Sequence, residues 1–91
     1  MVKRLPIEDI IDLHTFNPKE ISNLLEDYFT ECINHSIFSV RIIHGKGKGI
    51  LKKKVQSLLR KNPLVISYKD APENAGSWGA TIVDLQQKQD F

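Results

Sequence analysis

The stretch His44-Gly45-Lys46-Gly47-Lys48-Gly49 constrains this chain more than any other. Phe38-Ser39-Val40-Arg41-Ile42-Ile43 precedes it, and a run with helical spacing starts at Ile50. The order is therefore strand, glycine-rich turn, helix N-terminus. The first turn of a helix leaves backbone N–H groups without intrahelical partners and carries a partial positive charge. Glycines let the chain turn tightly there and let an anion approach those groups. His44 adds a group that titrates near neutral pH, and the lysines add fixed charge. The segment reads as a phosphate site with a proton-transfer group beside it. It lacks the Lys-Ser/Thr pair of a Walker A loop, and Gly-x-Gly-x-Gly is not the dinucleotide fingerprint.

The remaining elements follow from hydrophobic spacing. Residues 9–14 read as a first strand with Ile11 and Leu13 on one face, so Asp12 and His14 project from the other. Asn17 suits an N-cap, Pro18 the first helical position, and Glu20 a capping box. The helix continues to about residues 32–34, with Ile21, Leu24, Leu25, Tyr28 and Cys32 as its buried stripe. Residues 39–44 form the second strand, which makes a parallel, right-handed βαβ crossover. A second helix spans residues 50–61, with Leu51, Val55, Leu58 and Leu59 inward, and Asn62-Pro63 stops it. Residues 64–69 and 80–85 complete the strands, joined by a loop over residues 70–78. The expected fold is α/β, a two-layer sandwich of order β-α-β-α-β-β with a four-stranded mixed sheet and two helices. One domain over residues 9–85 is expected, with short flexible tails at 1–8 and 86–91.

Open α/β sheets place ligands outside the C-terminal ends of their strands. Asp12 and His14 end the first strand and His44 ends the second. Either histidine alone reads as a structural hydrogen-bonding residue. Their convergence on one edge, beside the glycine turn, points to function instead. His35 has no such neighbour and reads as a helix-end charge or plain surface. Trp78, in Gly76-Ser77-Trp78-Gly79-Ala80-Thr81, could stack on a base or cover the core.

The net charge of +2 conceals a segregation. Residues 38–69 hold nine basic and no acidic residues, whereas the flanking segments are acidic. Such a block is a candidate footprint for a polyanion. The single cysteine, Cys32, excludes an intrachain disulfide and a thiolate zinc cluster and reads as a small hydrophobe. A reducing, cytoplasmic setting follows as the simplest expectation. No apolar run approaches the ~18–20 residues of a membrane span, so no membrane partner is expected.

Together these motifs resemble the small MutS-related (Smr) domain family. The residues that carry the resemblance are Ile11-Asp12-Leu13-His14-Thr15, His44-Gly45-Lys46-Gly47 and Gly76-Ser77-Trp78-Gly79-Ala80-Thr81, with Val40-Arg41-Ile42-Ile43, Ile50-Leu51 and Pro63-Leu64-Val65 between them. The match covers roughly residues 9–85, in the manner of a stand-alone Smr protein. Thr15 replaces the usual glycine after the first histidine, and Ser77 interrupts the usual glycine pair. The resemblance implies a fold similar to the C-terminal domain of translation initiation factor three. It also implies nucleic-acid binding with DNA-nicking or RNA-cleaving activity.

The expected function is a nucleic-acid-binding endonuclease that hydrolyses phosphodiester bonds in DNA or RNA. Asp12, His14 and His44 are its candidate catalytic residues. One histidine would be general base and the other acid, with Asp12 orienting a histidine. The same trio is a candidate ligand set for a divalent metal such as magnesium or manganese, and no cofactor is certain from the sequence. Gly45, Lys46, Gly47, Lys48, Gly49, Lys52, Lys53, Trp78 and Gly79 are the candidate phosphate and nucleic-acid contacts. The alternative is a non-catalytic module that binds RNA, the ribosome or branched DNA, and a small-nucleotide enzyme is a third class. A monomer or weak dimer is compatible with either nucleic-acid reading.

Overall fold

The computed structural model describes residues 8–45, 49–75 and 79–87. Strand β1 (Ile10–Asp12) leads through a 3₁₀ turn (Pro18–Glu20) into helix α1 (Ile21–Asn34) and strand β2 (Ser39–Ile43). Helix α2 (Ile50–Lys61), strand β3 (Val65–Asp70), a second 3₁₀ turn (Glu73–Ala75) and strand β4 (Ala80–Leu85) follow. The sheet order is β1-β2-β4-β3. β1 and β2 are parallel, with Asp12 opposite Ile43, and β4 runs antiparallel to both β2 and β3. β2 and β3 therefore point the same way. Both crossovers step across the sheet in one direction, so right-handed connections carry both helices to the same face.

A single core confirms the two layers. Leu13, Ile21, Leu25, Phe29, Cys32, Val40, Ile42, Val55, Leu59, Val83 and Leu85 are buried together, drawing on both helices, on β2 and β4, and on Leu13 just past β1. By strand alternation Arg41, Ile43, Ile82 and Asp84 lie on the opposite face. Among the described residues, no helix is long and apolar enough to cross a membrane.

The mixed sheet, its two helices and their order agree with the sequence. α2 and β4 have the expected limits. The start of α1 differs. Asn17 accepts a bond from Lys19 N at 3.0 Å, but it caps the 3₁₀ turn, and α1 opens only at Ile21. Glu20 then stands at the N-cap of α1 without a side-chain bond, so no capping box forms. The buried stripe of α1 is also rotated. Phe29 is buried, whereas Leu24 and Tyr28 flank the core. The Tyr28 hydroxyl donates to Glu8 O at 2.6 Å, and that polar tip keeps the ring at the edge.

Candidate functional site

The C-terminal ends of β1, β2 and β3 and the start of β4 share one edge of the sheet. Asp12 is opposite Ile43, Ile43 is opposite Ala80, and Asp70 is opposite Thr81. Every chemical group described below is hung from that edge or from the adjoining N-terminus of α2.

β1 ends in a compact turn. Leu13 N donates to Ile43 O at 2.7 Å, and Phe16 N returns to Leu13 O at 2.9 Å. Asp12 Oδ1 accepts the backbone N–H of His14 at 3.0 Å and also the His14 Nδ1–H. These two bonds, the side-chain one foremost, hold the Asp12 carboxyl below its ordinary value. The carboxylate accepts the Nδ1 proton, which leaves Nε2 as the ring nitrogen open to a ligand. Both side chains are about half exposed. Thr15 fits the turn without strain, because Ser36 is the one non-glycine residue at positive φ among the described residues.

His44 is built differently. It is 4% exposed, with Nε2 2.8 Å from Thr81 Oγ1 and Nδ1 3.1 Å from Gly45 O. A carbonyl only accepts, so Nδ1–H donates to Gly45 and the neutral ring accepts the Thr81 hydroxyl proton at Nε2. Burial pushes the His44 pKa down, and the Lys52 charge pushes the same way. The bond to Gly45 O and the charge of Asp70 oppose both, without reversing them.

Gly45 adopts φ +81°, a left-handed conformation that favours glycine. Its N–H and that of His44 both donate to Gly79 O, at 2.9 and 3.1 Å. The Gly45 N–H is thus engaged within the fold. The adjoining helix terminus is that of α2, whose N-cap Gly49 (φ +78°) provides no side-chain cap. Lys52 sits in the first turn of that helix, 19% exposed, with Nζ 3.0 Å from Asp70 Oδ1.

A cleft of about 390 Å³ joins these parts, lined by His14, Phe16, Pro18, His44, Gly45, Gly49, Ile50, Leu51 and Lys52. The structure brings Asp12, His14, His44, Gly45, Gly49, Lys52 and Gly79 to one edge. Lys53 is exposed and is not part of the cleft lining. Lys46, Gly47, Lys48 and Trp78 lie outside the described residues. Among the described residues no group of three or more His, Cys, Asp or Glu side chains could hold a metal ion. Both His44 nitrogens face protein atoms, which removes one donor from the set Asp12, His14 and His44.

Three contributors escaped the sequence reading. Thr81 was visible only as part of a glycine-bearing stretch, Asp70 as the start of a loop, and Phe16 as a spacer before the helix. Their partners are distant in sequence or come from the turn geometry, so periodicity carries no signal for them.

An Smr domain profile matches residues 11–86. The chain is 39% identical over 75 residues to Endonuclease MutS2 of Helicobacter pylori (strain ATCC 700392 / 26695), covering 82% of this chain and 10% of that protein. It is 37% identical over 76 residues to Ribosome rescue factor SmrB of Buchnera aphidicola subsp. Acyrthosiphon pisum (strain Tuc7), covering 84% of this chain and 41% of that protein. The crystal structure of the Smr domain of Thermus thermophilus MutS2 superimposes with a TM-score of 0.80 at 30% identity, over 85% of this chain and 96% of that one. The chain thus spans about a tenth of the MutS2 relative and two fifths of the SmrB relative.

Proposed function

Because the chain belongs to the Smr domain family, we propose that it binds nucleic acid and cleaves its phosphodiester backbone, with His14 as the proton-transfer group. The observation that carries this reading is the Asp12–His14 pair, half exposed at the sheet edge, with His14 lining a cleft that also receives Lys52 and the N-terminus of α2. In the reaction, His14 Nε2 takes the proton of an attacking hydroxyl as that oxygen bonds to phosphorus, while the P–O bond to the leaving sugar oxygen breaks and that oxygen takes a proton from solvent. Asp12 holds the ring and offsets the charge it acquires. Lys52 and the first-turn N–H groups of α2 stabilise the charge added at the phosphoryl oxygens. His44 is buried and hydrogen-bonded at both nitrogens, so its assigned role is to hold Gly45 and the cleft wall. One relative is named an endonuclease and another a ribosome rescue factor, so ribosome-bound RNA belongs beside free RNA and DNA in the substrate panel.

The test incubates purified protein with single-stranded and branched DNA and RNA, with and without chelator. His14→Ala should lower the cleavage rate ~10²–10⁴-fold, the usual worth of a positioned base, with binding retained. Cleavage at the wild-type rate by His14→Ala would remove this mechanism. Tight, salt-dependent binding without cleavage of any substrate would replace it with the binding-module reading.

A further inference from the structure

We propose that Phe16 is a stacking platform for one nucleobase, set beside the phosphate that the cleft receives. This deepens the nucleic-acid reading above and rests on it. Scattered exposed apolar residues are ordinary on any protein surface. Phe16 is not scattered. The exposed large hydrophobics among the described residues are Ile10, Phe16, Ile50 and Ile66, and two of these, Phe16 (39% exposed) and Ile50 (64% exposed), line the same cleft. Pro18 and Leu51 line it with them.

The cleft is therefore divided. Lys52 and the N-terminus of α2 provide positive character. The remainder of the lining includes an aromatic ring and three aliphatic side chains. A nucleotide is divided the same way, into an anionic phosphate and a flat base with apolar faces. Inorganic phosphate or sulfate would use only the first part.

The turn ties the ring to the proposed chemistry. Leu13 O accepts Phe16 N at 2.9 Å, so His14 and Phe16 belong to one hydrogen-bonded turn, with Asp12 bracing its first half. Turns of this kind hold their ends within ~7 Å. A base stacked on Phe16 would thus lie a residue or so from the phosphate presented to His14 Nε2. Because every base offers a π-face, such a platform positions the strand with little sequence preference.

The experiment measures anisotropy of labelled 12-nucleotide single-stranded RNA and DNA at fixed salt, with probe integrity checked on gels. Wild type is compared with Phe16→Ala, Phe16→Leu and Phe16→Trp. Alanine and leucine should weaken binding by about 5- to 150-fold, the span of base–aromatic stacking, while tryptophan stays within about threefold of wild type. Leucine keeps an apolar side chain there, so a loss common to alanine and leucine but absent in tryptophan is not a folding effect. Probes with a single abasic nucleotide walked along the strand should contain one position at which wild type falls to the alanine level and alanine loses nothing more. Unchanged affinity in both alanine and leucine variants would overturn the platform alone. A wild-type protein that binds none of the probes would overturn the nucleic-acid reading and the platform with it.

Discussion

Thr81→Val tests the buried half of the site. Thr81 is fully buried, and its hydroxyl is 2.8 Å from His44 Nε2. Valine replaces that hydroxyl with a methyl of nearly the same shape, so the Nε2 lone pair faces carbon with no water to accept from. Stranding a buried polar group costs ~1–3 kcal/mol, and the extra buried methyl returns up to ~0.8 kcal/mol. The net loss expected is about 0.2–2.2 kcal/mol, and for a domain of this size ~4–8 °C accompanies each kcal/mol, so Tm should fall by roughly 1–18 °C. Thermal and urea denaturation at pH 7.5, followed by circular dichroism, measure it. The partner is tested in a cycle with His44→Leu. Once the imidazole is gone, the Thr81 hydroxyl has lost its acceptor, and Thr81→Val should become neutral or stabilising. An equal loss in both backgrounds, or none in either, would refute the bond and the tautomer inferred from it.

Stability should also fall in acid before the carboxylates titrate. The His44 pKa is depressed in the fold, so its contribution is complete above the unfolded value near ~6.5 and is lost as pH falls through the lower folded value. Urea melts at pH 7.5 and about 5 should show this decline in wild type and a flatter profile in His44→Leu; identical slopes would argue against it. Gly45→Ala should cost about 1–2 kcal/mol in urea denaturation. Its added Cβ would meet His14 Cβ at an ordinary 3.5 Å, so the loss would come from φ +81° and not from a clash. Lys52→Gln should lower the salt dependence of oligonucleotide binding by about 0.7–0.9 in log–log slope, as expected for one phosphate contact; an unchanged slope would remove Lys52 from the footprint.

The sheet and the helices were legible because their signals are local. The apolar runs at Val40-Arg41-Ile42-Ile43 and Ile82-Val83 marked strands, and Leu51, Val55, Leu58 and Leu59 marked one face of α2. Convergence of Asp12, His14 and His44 on one edge followed from the parallel crossover alone. Details set by competition among neighbours were not legible. Asn17 was read correctly as a cap, but whether it caps a 3₁₀ turn or the α-helix depends on how the chain leaves the β1 turn. Tyr28 fits the α1 stripe by spacing as well as Phe29 does, and only the hydroxyl bond to Glu8 separates them. Lys52 and Lys53 looked alike within one basic run. The Asp70 carboxylate, from β3, makes the first a fixed cation of the cleft and leaves the second exposed.

The same distinction separates the two histidines, which sequence spacing made equivalent. Proton transfer needs a nitrogen that reaches substrate and a charge state that tolerates gaining a proton. His14 has both, since Nε2 is open and the Asp12 carboxylate accompanies the ring. His44 has neither, since burial disfavours its cation and both nitrogens are bonded within the fold. In the proposed reaction the wet half of the site is therefore the reactive one, and the dry half fixes the geometry in which it works. Substitutions should divide accordingly. His14→Gln should lower kcat with Tm changed by no more than a few degrees, because an exposed side chain contributes little to stability. His44→Gln should lower Tm first and alter cleavage only through the cleft wall. If His44→Gln abolished turnover at full stability and full affinity, the buried histidine would be touching substrate, and the assignment of roles would have to be exchanged.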